Sequence, residues 1–93
     1  MLVITNRTKR RIYIKIQRTR DSSQFIITFY RIAATQMPSL LTPRVNPGKS
    51  RGVPAIDDIS KVKVQDRIGL RYQFTYQAGG AHLVILEEIG LPQ

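Results

Sequence analysis

Residues 11–17 alternate in polarity. Ile12, Ile14 and Ile16 fall on one face of an extended segment, and Arg11, Tyr13, Lys15 and Gln17 fall on the other. A period of two is the signature of a half-buried strand, and the β-branched run favours it. A polar cluster at residues 20–23 predicts a turn. Residues 24–33 then carry Phe25, Ile27 and Phe29 on one face and Ile26, Thr28, Tyr30 and Ile32 on the other. Apolar residues on both faces predict a central strand, or one covered on both sides. A hairpin loop centred on Asp21 and Ser22 would set Ile16 opposite Ile27 and Ile14 opposite Phe29 on the core face. Tyr13 would meet Tyr30 on the other face, flanked by Arg11 and Lys15, and Arg31 would cap the sheet end opposite Ile12. A one-residue slip would turn every side chain to the wrong face. Residues 1–5 predict a short strand ahead of a turn at residues 6–9.

The middle of the chain breaks this pattern. Residues 36–56 hold Pro38, Pro43, Pro47 and Pro54 with Gly48 and Gly52, which predicts an irregular, mobile loop or arm. Pro54 followed by Asp57 and Asp58 suits one helical turn over residues 55–59. Alternation returns in residues 61–65. Asp66 and Arg67 predict a turn. Ile68, Leu70, Tyr72, Phe74 and Tyr76 then share a face, which predicts that Tyr72 and Tyr76 are core residues. Gly79 and Gly80 suit a two-residue hairpin loop. Centring the loop there pairs Tyr76 with Leu83, Phe74 with Ile85, Leu70 with Ile89 and Arg71 with Glu88. The predicted fold is all-β and a single domain over residues 1–93. It is a small open barrel or sandwich of five or six mostly antiparallel strands, built from two hairpins separated by the basic loop.

Charge sharpens the picture. Fifteen Lys and Arg against six Asp and Glu give a net charge of +9 over 93 residues. Residues 1–56 hold eleven of the basic residues and a single acid, Asp21, whereas residues 57–93 carry a net charge of −1. That asymmetry points to an anionic partner. The absence of cysteine excludes disulfides, thiolate metal sites and thiol catalysis. The apolar start is too short for a signal peptide, and no apolar run approaches the length of a spanning helix. The expectation is a protein of the cytoplasm or of a virion interior, with no membrane partner.

Catalytic chemistry finds little footing. The only histidine, His82, has no orienting partner in sequence, and a small ribonuclease using Arg, Tyr and His82 is a minor alternative. Glu87 and Glu88 would point to opposite strand faces and could not converge on a metal ion. Gly48, Lys49 and Ser50 imitate the end of a phosphate loop, but the leading glycine and a feeding apolar strand are missing. No catalytic residue, metal site or cofactor is expected. The favoured function is non-catalytic, sequence-tolerant nucleic-acid binding with a preference for single strands. It needs cations along a surface and rings on which bases stack. The candidate residues are Arg11, Tyr13, Lys15, Arg18, Arg20 and Tyr30 on the first hairpin, with Arg44, Lys49 and Arg51 on the loop. The alternative is a phage or viral assembly component or inhibitor that meets an acidic protein partner. Exposed strand edges suggest a homodimer.

Overall fold

A computed structural model of the chain describes residues 1–77 and 80–89. Its strands are β1 (Leu2–Asn6), β2 (Ile12–Arg18), β3 (Phe25–Tyr30), β4 (Arg44–Val45), β5 (Ser50–Val53), β6 (Val62–Asp66), β7 (Leu70–Gln77) and β8 (Gly80–Glu88). They form two four-stranded sheets, ordered β5-β1-β8-β7 and β4-β2-β3-β6. The chain is all-β, with eight strands among the described residues where five or six were expected. The difference lies partly in residues 36–56, which contribute β4 to one sheet and β5 to the other. Both sheets are mixed, because β1 runs parallel to β8 and β3 runs parallel to β6.

The first hairpin has the expected register, with Tyr13 opposite Tyr30, Ile14 opposite Phe29 and Ile16 opposite Ile27. As its composition implies, β3 is an inner strand. The Asp21 carboxylate closes the loop, accepting hydrogen bonds from the Thr19 hydroxyl at 2.7 Å, the Ser23 hydroxyl at 2.7 Å and the Ser23 N–H at 3.0 Å. These bonds, the Ser23 hydroxyl first, hold the Asp21 pKa down at about 2. A folded-state pKa below the unfolded value of about 3.9 gives stability that is present above that value. The loop contribution is therefore expected to fade as pH falls from about 4 toward 2. Titration of the Asp21 carboxyl by NMR checks this, and an ordinary carboxylate midpoint would refute it.

The second hairpin is shifted from expectation. Gly80 pairs with Gln77, Phe74 with Leu83 and Tyr72 with Ile85. The predicted partners of Tyr76 and Phe74 were two residues out along β8, and those of Leu70 and Arg71 one residue out. Gly80 lies in the strand, and Gly79 lies outside the described residues. Gly80 has φ +137°, and a Cβ there would meet the Met1 carbonyl oxygen at 2.6 Å, so glycine is needed for close approach to the N-terminal backbone. A bulge between Arg71 and Tyr72 then sets Arg71 beside Glu87 instead of Glu88. Arg71 Nε lies 3.1 Å from Glu87 Oε1, and Glu88 pairs with Arg31.

One core joins the sheets. Leu2, Ile4, Leu83 and Ile85 come from the first sheet, and Ile12, Ile14, Ile27, Phe29 and Val45 come from the second. Ile16 is 38% exposed, because the hairpin tip runs past the covering sheet. Tyr72 and Tyr76 also depart from expectation, and Tyr76 is 76% exposed. Both share the face of Phe74, but β7 is an edge strand whose far end lacks cover. The predicted helical turn begins later. Ile56 is buried, and Asp58 caps the short 3-10 turn Ile59–Lys61 by accepting from the Ser60 N–H. Among the described residues, no helix is long and apolar enough to cross a membrane.

Asn6 ties the sheets together at the end of β1. It is fully buried, and its amide nitrogen donates to the carbonyls of Arg10 at 2.8 Å and Val45 at 3.0 Å. Its side-chain oxygen accepts from the Thr8 N–H at 2.9 Å and the Thr8 hydroxyl at 2.6 Å. Two donors and two lone pairs are thus all satisfied.

Candidate nucleic-acid interface

The ladders of the second sheet align its outward side chains in three rows. Gln17, Ile26 and Lys63 form the row nearest the hairpin tip, and Lys15, Thr28 and Gln65 form the next. The third runs Arg44, Tyr13, Tyr30 and then Arg67, whose N–H extends the β3–β6 pairing by donating to the Phe29 carbonyl at 3.1 Å. Strand spacing and rise make the face about 14 Å wide and about 13 Å long. Lys15, Gln17, Thr28, Tyr30, Gln65 and Arg67 line an open groove of about 470 Å³ in it, and no carboxylate is among them. The Thr28 hydroxyl donates to Gln65 Oε1 at 2.9 Å, which leaves the Gln65 amide N–H groups free to face a ligand.

The middle of the other sheet's outer face differs in charge, with its cations, Arg7 and the Glu87-paired Arg71, toward one end. Its ladders align Thr75, His82, Val3 and Gly52 in one row and Gln73, Val84, Thr5 and Ser50 in the next. None of these is a cation. His82 therefore sits on the side of the molecule away from Tyr30 and Arg67 and cannot act with them. The Gly48 N–H donates to the Asn6 carbonyl and the Lys49 N–H to the Asn46 carbonyl. Those amides are already engaged, and a strand follows them, so no phosphate cradle forms. Among the described residues, no group of three or more His, Cys, Asp or Glu side chains comes together.

The nine candidate residues do not form one site. Lys15 and Tyr30 lie in the groove. Tyr13 is on the expected face, with ring centroids 5.9 Å from Tyr30, but it is only 6% exposed. The Arg44 guanidinium lies 5.2 Å from the Tyr13 ring centroid and covers it. Arg44 also donates to the carbonyls of Ser39 and Thr42, bracing the loop above. Arg11 donates to Asn46 Oδ1 at 2.8 Å and, with Arg10 and Arg31, lines a second hollow under residues 32–36. Arg18 points to the isoleucine side, where it stacks over Phe25 at 4.9 Å, and Arg20 is exposed in the loop. Lys49 and Arg51 lie at the far edge, where Arg51 donates to the Arg44 carbonyl.

Comparison with protein-family models, curated proteins and solved structures finds no match.

Three residues of this face, the groove residues Gln65 and Arg67 and the neighbouring Lys63, were missed in the sequence because the net charge of residues 57–93 hid them. The alternation of 61–65 was the available signal, but only the parallel β3–β6 pairing brings it beside Lys15. Burial also reassigns the tyrosines. Tyr13→Ala should lower the unfolding free energy by about 2–4 kcal/mol as a core truncation. Tyr30→Ala should weaken oligonucleotide binding by about 1–3 kcal/mol without changing its salt slope. Denaturant unfolding and binding titrations of both variants separate the roles, and equal effects in both assays would contradict the assignment.

Proposed function

We propose that the chain is a non-catalytic nucleic-acid-binding protein that takes single strands with little sequence preference on the outer face of the β4-β2-β3-β6 sheet. The observation that carries this reading is a cluster of cations around a partly open aromatic ring. Lys15, Lys63, Arg44 and Arg67 stand on that face around Tyr30, while the two aligned rows on the opposite outer face hold no cation. Cations attract phosphates, and a partly open ring offers a stacking surface. Neither contact reads base edges, so discrimination between sequences should be weak. The test is binding of a fluorescent single-stranded oligonucleotide across a salt series. With three or four phosphate contacts, the log–log slope should be about −2 to −3. No binding at low salt, or binding indifferent to salt, would sink the proposal.

A second reading rests on a different feature. β7 is an eight-residue edge strand carrying the exposed Tyr72 and Tyr76. Such an edge suits pairing with a second copy or with another protein, as in an assembly component. Light scattering decides between one and two copies, and a monomer at high micromolar concentration would count against self-pairing.

A further inference from the structure

The loop between β3 and β4 raises three large apolar side chains into solvent. Met37 is 95% exposed, Leu40 94% and Leu41 91%. Isolated exposed leucines are ordinary, but three within five residues form a patch that calls for a partner. The loop has a defined shape. The Thr42 N–H donates to the Ser39 carbonyl at 3.0 Å, the Leu41 N–H to the Ser39 hydroxyl at 3.1 Å, and Arg44 to the Ser39 carbonyl at 2.6 Å. At its base stand Arg10 and Arg11 of the second hollow, with Arg44 braced against the loop carbonyls and Arg31 paired with Glu88. Residues 22–56 contain no acid.

We propose that this loop docks the protein on an anionic lipid surface, with Met37, Leu40 and Leu41 entering the headgroup boundary and the neighbouring Arg10 and Arg11 facing lipid phosphates. A protruding apolar tip with cations at its base matches the two-part attraction of interfacial anchors, which combine apolar burial with charge. A second copy of the chain fits the tip poorly. The groove across the basic face is lined by polar and charged residues and one tyrosine, and three arginines line the hollow under residues 32–36. Tip-to-tip contact would bring two arginine clusters together. The proposal is independent of nucleic-acid binding and replaces the expectation of no membrane partner.

The test is co-sedimentation of the whole chain with phosphatidylcholine vesicles, with and without phosphatidylserine. Vesicles containing phosphatidylserine should pellet the protein, and pure phosphatidylcholine should pellet it about tenfold less well. The Leu40→Ser, Leu41→Ser double variant should lose about tenfold or more in partitioning to the anionic vesicles. Its circular dichroism and its oligonucleotide affinity should stay unchanged, since both positions are exposed and lie outside the groove. Met37→Ser gives a separate single-site reading in the same direction. Wild-type protein left in the supernatant, or a double variant that pellets like wild type, overturns the proposal. If the wild type ignores vesicles and the double variant turns a dimer into a monomer, a second copy covers the tip and the lipid assignment falls.

Discussion

Asn6→Asp is expected to destabilise the fold by about 4 kcal/mol or more. The aspartate would turn an oxygen toward the Arg10 and Val45 carbonyls that now accept from the amide nitrogen. It would leave both unsatisfied and bury a carboxylate among acceptors. A domain of this size has about 5–10 kcal/mol to lose in total. Asn6→Ala removes those two bonds and the two accepted from Thr8, without adding charge, and should cost about 3 kcal/mol. At about 4–8 °C per kcal/mol, even the alanine variant should melt more than about 10 °C below wild type. Thr8→Val keeps the backbone bond to Asn6 and loses only the hydroxyl contacts, so it should cost about 1 kcal/mol. Thermal unfolding of the three variants gives the ranking. An Asn6→Ala protein that melts within a few degrees of wild type would mean that the bridge between the sheets is dispensable.

Reversing the charge of Lys15, Lys63 and Arg67 together should abolish measurable oligonucleotide binding, a loss of about two orders of magnitude or more at moderate salt. Each phosphate contact to a single strand contributes about 0.7 to the salt slope, so three neutralising substitutions should remove about 2. Reversal adds repulsion to that loss. All three side chains are exposed, and none makes an ion pair with another described residue, so the variant should unfold within about 1 kcal/mol of wild type. Reversing Arg18, Arg20 and Lys49 makes the matching control, because it changes net charge equally but away from the groove. Equal losses in the two triple variants would show that net charge alone draws the oligonucleotide. The groove would then carry no special role.

The first hairpin was legible to the residue because three local signals agreed. Alternation set the faces, Asp21 and Ser22 set the loop, and the isoleucine row excluded a slip. The second hairpin was legible in its faces but not in its pairing. Two glycines in a row suggested the loop, whereas one of them serves the strand and its contact with Met1. The parallel pairs had no local mark. Nothing within residues 61–67 names β3 as the neighbour, and that pairing completes the basic groove. Tyr13 was misjudged for a related reason. Its strand face was right, but its exposure is decided by Arg44 and the loop that Arg44 braces, some thirty residues away. Tyr72 and Tyr76 erred the other way, since an apolar row reports a face and not the extent of the sheet that covers it.

The placement of β1 bears on how the chain reaches this state. Its two neighbours are β5 and β8, which begin more than forty residues downstream. Neither side of β1 can be paired until long stretches of backbone have been brought back to it, so chain closure has to precede much of the gain in contacts. The β2–β3 hairpin needs only a short loop and can form early. During synthesis, Leu2 and Ile4 would be made well before β5 and β8 and would stay uncovered until both had followed, leaving an unpaired strand open to stray association. Refolding should consequently be slow for so small a domain, in the millisecond-to-second range of folds built on distant pairings, and its yield should fall as protein concentration rises.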